Sequence, residues 1–286
     1  MQPTHRAPSP DLREIVARHY VFGAELPPGY ELQDDLLSET AFIRILIQGD
    51  WAARMPDGGW SNVGPMVFFG ANARPLRVRV CGSFKVIGVA IRPAGWHTLF
   101  DRPANLYTDC MISLRDVWGE DSDRLHQAVL GAGEDVDAVI TAIEEVLRTR
   151  ISARPAAHPD QAMLAFERIA RFDSTRRIAD ICKELGIAQH ALERRCMAMF
   201  GMSPKRILRR RRFLDMAAVI RGLCNPDEQV LAELRYTDQS HLNREFREFI
   251  GMTPGQFAHS TTPLLTAGLE LRFGRRESDP SSEFWA

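Results

Sequence analysis

The sequence predicts an α+β multidomain protein: a small N-terminal β-barrel with trailing helices, followed by an all-α C-terminal domain with two helix-turn-helix units. Three observations lead to this prediction. Short apolar or alternating runs, separated by turn residues, dominate the first 110 residues. Helical periodicity dominates residues 161–260. Within that second region the sequence repeats itself at a constant offset of 50 residues.

Length and composition narrow the class of protein. A chain of 286 residues suits two domains better than one. No apolar run approaches the ~20 residues that a membrane span needs, and the N-terminus lacks the apolar core of a secretory signal. The five cysteines are scattered and include no CxxC pair, which argues against a disulfide framework and a structural zinc site. We therefore expect a cytoplasmic, nucleoid-associated protein with no membrane segment, metal or cofactor.

Charge is divided unevenly along the chain, although the net charge is only −1. Residues 160–260 carry 17 Lys and Arg against 13 Asp and Glu, a net charge of +4. All other residues together carry 19 Lys and Arg against 24 Asp and Glu, a net charge of −5. The C-terminal third is therefore the part expected to meet a polyanion.

Predicted elements divide the chain into five segments. Strands are predicted over residues 43–47, 66–69, 76–80 and 85–91, with turn residues between them. The resulting segments are a β-rich domain (1–110), a helical connector (111–151), a linker with two prolines (152–160), a helical domain (161–260) and a loose C-terminal tail (261–286). The helix predicted near residues 134–150 fits equally a dimer contact and a strut against the helical domain.

The internal repeat carries the functional prediction. LERRCMAMFGMSP (192–204) aligns with LNREFREFIGMTP (242–254), and each copy has a short helix, a tight turn and a second helix. In each second helix an apolar stripe must pack on the first helix, so polar side chains near its N-terminus face outward, where a recognition helix meets base edges. The candidate base-contacting residues are Gln189, His190, Glu193, Arg194, Gln239, Ser240, Asn243 and Arg244.

A basic helix is predicted between the two copies. Residues 205–220 have a partly apolar face and include four consecutive arginines, 209–212. Alone, such a run is more typical of a solvated helix face; the surrounding repeat favours phosphate contact for at least one of the four. The candidate phosphate-contacting residues are Arg195, Lys205, Arg209, Arg210, Arg212 and Arg247.

The segments RIADICKELGIAQHALERRCMAMFGMSPKRILRRRRF and YTDQSHLNREFREFIGMTPGQF resemble the AraC/XylS family of bacterial transcription regulators. The resemblance covers residues 161–260 and implies two helix-turn-helix units in successive major-groove segments of promoter DNA, with RNA polymerase as a candidate partner. Two departures stand out. Ala188 replaces the usual Ser or Thr cap, at a cost of about 1 kcal/mol. Arg235 stands where the family usually has Gly, at a strain of about 1 kcal/mol if that turn needs a positive φ.

The N-terminal region resembles, more faintly, the cupin-like barrel sensor domains of that family, chiefly through IRPAGWHTLFDRPANLYTDCMISLRDVWG (91–119). This resemblance implies an effector-controlled regulator. Weak candidates for an effector pocket, each of which also fits a plain core position or a structural histidine, are Trp51, Phe69, Trp96 and His97.

Two rival functions remain. One is an architectural or ligand-independent DNA-binding protein whose N-terminal domain forms a homodimer. The other is a barrel enzyme localised by its helices, which the sequence disfavours because the histidines before the linker form no HxH pair. We expect a regulator that is not an enzyme.

Overall fold

The computed structural model describes residues 3–55, 57–224, 236 and 238–278. The predicted first helix of the second unit and Arg235 at its turn therefore lie outside the described residues. So do residues 279–286 of the predicted tail. Elements are numbered below in chain order.

The N-terminal strands form one antiparallel sheet in the order β1-β2-β7-β4-β6-β8, with β3 also paired to β7 and β5 to β4. The strands are β1 (Thr4–Arg6), β2 (Val16–Ala24), β3 (Glu31–Leu36), β4 (Phe42–Arg54), β5 (Trp60–Ser61), β6 (Met66–Phe69), β7 (Leu76–Ile91) and β8 (Met111–Ser113).

The long strands β4 and β7 form the centre of the sheet. The sequence predicted a turn at residues 81–83, but β7 runs through them, because β3 pairs with its first half and β2 with its second half. Opposite this point β4 carries two register shifts, between Leu46 and Gln48 and between Gln48 and Asp50. Gly49 lies here with a φ of +103°, and a Cβ on it would come within 2.7 Å of the Phe84 Cβ. Only glycine fits this bulge, which bends the strand pair.

Both faces of the sheet are apolar. On β4, Ile43 and Ile45 belong to a core shared with the helices, whereas Phe42 and Leu46 pack with the opposite core. Residues two apart share a face of a strand, so neither face is left for water alone. We call the second one the inner face.

The α-helices, of which α1 precedes strand β8 in the chain, are α1 (Trp96–Leu99), α2 (Leu114–Trp118), α3 (Glu120–Ala132), α4 (Val136–Ser152), α5 (Gln161–Phe172), α6 (Ile178–Leu185), α7 (Gln189–Phe200), α8 (Pro204–Ile220), α9 (Gln239–Ile250), α10 (Pro254–His259) and α11 (Pro263–Ser278). The predicted linker is the non-helical segment between α4 and α5, and Asp160 caps the helix that follows it. No helix of the described ranges is long and apolar enough to cross a membrane.

The predicted loose tail is wrong for residues 263–278. These form α11, whose Leu264 and Ala267 pack on the inner face of the sheet. Leu265 and Leu269 pack instead with α8 and α9. The Asp34 carboxylate accepts hydrogen bonds from two backbone N–H groups at the start of α11, those of Leu264 (2.6 Å) and Leu265. The helix is therefore fixed to the sheet at its N-terminus and bridges two cores.

The helical connector packs on the sheet domain. The buried face of α4 lies against α1 and α3. Its Glu144 is hydrogen-bonded to His19 Nε2 at 3.0 Å and to the backbone N–H of Ser9 at 2.9 Å. α4 therefore braces the sheet domain itself. Both roles predicted for it, a dimer contact and a strut against the DNA-binding part, stay predictions.

Candidate DNA interface and interior cavity

The first helix-turn-helix unit consists of α6, a three-residue turn and α7. Gly186 ends α6 in the left-handed conformation, with a φ of 65°, as a helix C-terminus favours. Leu192, Cys196 and Phe200 form the buried stripe of α7. Ala188 is the N-cap of α7 and provides no side-chain hydrogen bond, so the first N–H groups of this helix lack the usual acceptor.

The predicted base-contacting side chains of this unit lie on one exposed face. Gln189, His190, Glu193 and Arg194 are all exposed. Gln189 donates to the Glu193 carboxylate at 3.0 Å. The recognition surface of the first unit is thus a free helix face, and its contact with bases remains a prediction.

The second unit is described through α9 and its flanks. Asp238 caps α9 by accepting a hydrogen bond from His241 N–H at 2.7 Å. Gln239, Ser240 and Arg244 are exposed, and Asn243 is partly exposed. The outward polar set predicted from the repeat is therefore present on both recognition helices.

A buried carboxylate anchors α9 to the helix before it. Glu245 is fully buried and accepts hydrogen bonds from Arg209 (3.1 Å), Arg212 (2.8 Å) and the hydroxyl of Tyr236 (2.9 Å). Burial raises the pKa of Glu245, but the hydrogen bonds and positive charge of Arg212 and Arg209 outweigh this, so its pKa lies below the ordinary value. The carboxylate stays ionised at neutral pH.

The prediction that Arg210 contacts phosphates is wrong for this conformation. Its side chain is 1% exposed and donates to the backbone carbonyls of Asn72 (2.6 Å), Ser38 (3.1 Å) and Glu39. Burial lowers its pKa to about 9. Arg210 therefore fastens α8 to the sheet domain.

The other predicted phosphate contacts are divided. Arg212 is held by Glu245, and Arg209 by both Glu245 and Glu248, so both guanidinium groups are engaged by carboxylates of α9. Arg195 pairs with Asp160 at 3.3 Å. The two exposed residues of this set are Lys205 and Arg247.

A cavity of about 130 Å³ lies between the inner face of the sheet, α8 and α11. Its walls combine aromatic and aliphatic side chains with a few charged groups. The lining includes Arg18, Glu39, Phe42, Arg44, Trp51 and Arg272. Arg44 is not among the predicted site residues, although a basic residue at an inward position of the apolar run FIRILI was a usable signal.

The predicted effector residues are scattered around this region. Trp51 lines the cavity. Phe69 is buried and stacks on Phe42, with ring centroids 4.5 Å apart. Trp96 is buried in the other core and donates its indole N–H to the Arg102 carbonyl. His97 is exposed. The structure therefore brings Trp51 to the cavity and places Trp96 and His97 away from it.

No group of three or more His, Cys, Asp or Glu placed to hold a metal ion occurs in the described parts of the chain. None of the five cysteines, all of which lie within the described residues, forms a disulfide. Burial raises the pKa of the Cys196 thiol, which keeps it protonated within the first unit.

Two family models match the chain in regions that coincide with its two parts. Residues 181–260 match a family described as a helix-turn-helix domain. Residues 4–113 match a family described as a domain of unknown function, DUF6597. No curated protein matches the chain.

Three solved structures illustrate what the chain is similar to. A variant of ToxT from Vibrio cholerae without ligand has 14% identity and a TM-score of 0.46, covering 84% of this chain and 96% of its own. Wild-type ToxT bound to an unsaturated fatty acid has 12% identity and the same TM-score, with 84% and 94% covered. The AraC-like transcriptional activator CuxR has 16% identity and a TM-score of 0.29, with 82% and 90% covered.

Proposed function

We propose that this chain is a DNA-binding transcription regulator of the AraC/XylS type, because its residues 181–260 match a helix-turn-helix family. We further propose that α7 and α9 read specific promoter bases under the control of a small molecule bound in the interior cavity. The observation that carries the proposal is the pair of exposed polar faces on these two helices. Hydrogen-bonding side chains at the N-terminal end of a recognition helix are the groups that reach base edges in the major groove.

The division of basic residues supports separate roles within the interface. Arg194 and Arg244 are exposed on the recognition faces, where a bidentate Arg–guanine contact is the commonest specific one. Lys205 and Arg247 are exposed at the flanks of the two units and suit phosphate contact, which positions a protein without reading sequence.

We further propose that an effector in the cavity controls DNA binding. The cavity lies between the sheet domain and the two helices α8 and α11, so a bound effector would contact both halves of the molecule. The proposal includes no catalysis: effector binding changes DNA affinity. We also propose that the protein acts on promoters inside the cytoplasm. There it would contact RNA polymerase and bind paired sites as a homodimer.

Footprinting of the full chain on genomic fragments, followed by affinity measurements on the preferred site, tests the recognition role. Arg244→Ala should lose discrimination at one base position by about 1–3 kcal/mol, since one bidentate contact is removed. Arg194→Ala should do the same at a different position, because the outward sets of the two helices differ.

Lys205→Ala provides the contrasting result. It should weaken specific and random DNA equally and reduce the slope of log affinity against log salt by about 1. Arg124→Ala removes an exposed arginine of α3 in the helical connector; it is the matched control and should change neither quantity. A footprint without any preferred site would favour the architectural alternative. Unchanged discrimination in both arginine variants would reject the assigned base contacts.

A further inference from the structure

The cavity beneath α11 carries an excess of positive charge. Its charged lining residues among those described are Arg18, Arg44, Arg272 and Glu39. Glu39 is the acid of this set, and it forms ion pairs with Arg272 at 3.1 Å and with Arg211 at 3.2 Å. The acidic group of the cavity wall is thus already paired with arginines of α8 and α11.

Arg44 is a buried charge without an acidic counterpart in the described parts of the chain. Its side chain is 3% exposed. Its Nε and Nη1 atoms are buried and have no hydrogen-bond partner among the described residues. Burial lowers the pKa of Arg44 to about 10, so the guanidinium still carries its charge at neutral pH. A buried charge is ordinarily paired, because leaving it alone is costly.

Aromatic rings account for only part of the surroundings of this guanidinium. The Arg44 Cζ lies 4.4 Å from the Trp51 ring centroid and 4.8 Å from that of Phe69. Such cation–π contacts cover the faces of the planar group. They do not engage the N–H groups that point outward along its edge, which match the two oxygens of a carboxylate.

Trp51 contributes a second donor to the same cavity. It is 4% exposed, and its buried indole Nε1–H has no partner among the described residues. An indole N–H and a guanidinium can only donate hydrogen bonds. A complementary ligand must therefore present acceptors at this end.

The rest of the cavity requires an apolar ligand surface, because it is lined largely by apolar side chains. Among them are Phe22, Phe42, Val86, Leu264 and Leu269. A volume of about 130 Å³ is close to that of an engineered cavity that holds benzene. The ligand therefore has an apolar body about as large as one six-membered ring.

We infer that this cavity binds a small amphipathic carboxylate, whose oxygens accept hydrogen bonds from Arg44 and the Trp51 indole and whose apolar body lies against α11. The inference rests on the proposed function and names the ligand class of its effector cavity. Because α11 packs on both the inner face and the core of the second unit, the ligand would occupy the contact between sensor and DNA-binding parts.

Isothermal titration of the full chain with cyclohexanecarboxylate and with cyclohexanecarboxamide tests the ligand class. The two probes have nearly the same shape and differ in charge. We expect the carboxylate to bind at least about tenfold more tightly, since a hydrogen bond between charged groups is worth a factor of this size. Equal affinities, or no binding of the carboxylate up to millimolar concentration, would overturn the inference.

Two variants locate the site. Arg44→Met keeps an unbranched side chain but removes the charge, so it should abolish the preference for carboxylate over amide. Trp51→Phe keeps an aromatic ring but removes the N–H and should weaken carboxylate binding about fivefold, since one hydrogen bond is lost. Unliganded DNA binding equal to wild type verifies that each variant is folded. Retained preference in folded Arg44→Met would also overturn the inference.

The outcomes separate this inference from the proposed function. Selective DNA binding by a wild-type chain that ignores the carboxylate leaves the regulator intact and rejects the ligand class. Carboxylate binding that depends on Arg44, in a chain with no preferred DNA site, supports the ligand site and rejects sequence-specific regulation.

Discussion

The two helix-turn-helix units differ in how they are attached to the sheet domain. The buried stripe of α7 belongs to the same apolar core as Phe68 and Trp96 of the sheet domain. The second unit has its own core around Phe213, Phe246 and Phe249. Its connections to the sheet domain run through the bridging helix α11 and through buried polar contacts such as those of Arg210.

This difference assigns the two units different mechanical roles. Apolar packing is close and non-directional, so the first unit is effectively part of the sheet domain. Charged hydrogen bonds depend on geometry and on complete pairing, so an arrangement built on them can switch between discrete states. The cavity is bounded by α8 and α11, and we expect the second unit to be the one that an effector moves.

The largest expected effect comes from removing an apolar anchor. Phe200 is 2% exposed and packs edge-to-face on Phe166, with centroids 5.5 Å apart. Phe200→Ala should lower the free energy of unfolding by about 4 kcal/mol, because it leaves a large cavity in the shared core. Urea denaturation followed by tryptophan fluorescence measures this loss, since Trp96 lies in that core.

Phe249→Ala is the matched change in the second unit, where the ring is equally buried. It should unfold α9 and its neighbours in a separate, earlier transition and leave the tryptophan signal near wild type until higher urea. If Phe249→Ala instead shows one transition shared by both parts, the two units are attached alike and the comparison fails.

An intermediate effect should follow from the buried carboxylate of the second unit. Glu245→Gln should cost about 3 kcal/mol at pH 7, since it leaves charged partners without their acceptor. Glu248→Gln, whose carboxylate is 37% exposed and pairs with Arg206 and Arg209, is the control and should cost less than about 1 kcal/mol.

The same residue makes the second unit sensitive to acid. The pKa of Glu245 is lower in the folded chain than its ordinary value of 4.5. As pH falls through this range, the unfolded chain takes up the proton first, so the stabilisation present at neutral pH is lost. The stability difference between wild type and Glu245→Gln should therefore shrink as the pH falls from 7 to below the ordinary pKa of 4.5. A constant difference would show that ionisation of Glu245 is not what anchors α9.

The sequence predicted local structure better than long-range pairing. Both recognition helices begin and end where the repeat placed them, because their stripes, turns and terminal glycines are local signals. The basic run 209–212 could not be interpreted alone. Its partners, Glu39, Asn72 and Glu245, lie far away along the chain.

The C-terminal helix was missed for a related reason. Its apolar residues are shared between two separate cores rather than forming one stripe. Helical periodicity detects a single buried face, so a helix that bridges two surfaces gives a weak signal. For Arg44 the sequence offers a signal, a charge at an inward position of an apolar strand, but it does not show which side chains surround that charge.

The smallest expected effect concerns the two helix starts. Asp238 caps α9 with a 2.7 Å hydrogen bond to His241 N–H, whereas Ala188 leaves α7 without a side-chain cap. Asp238→Ala should cost about 1 kcal/mol and Ala188→Ser should gain a similar amount, as measured by urea denaturation. Asp238→Asn retains a capping oxygen and should change stability by only a few tenths of a kcal/mol. If Ala188→Ser gains nothing, the first turn of α7 is already held by packing against the sheet domain, which would extend the contrast between the units from their attachment to the start of each recognition helix.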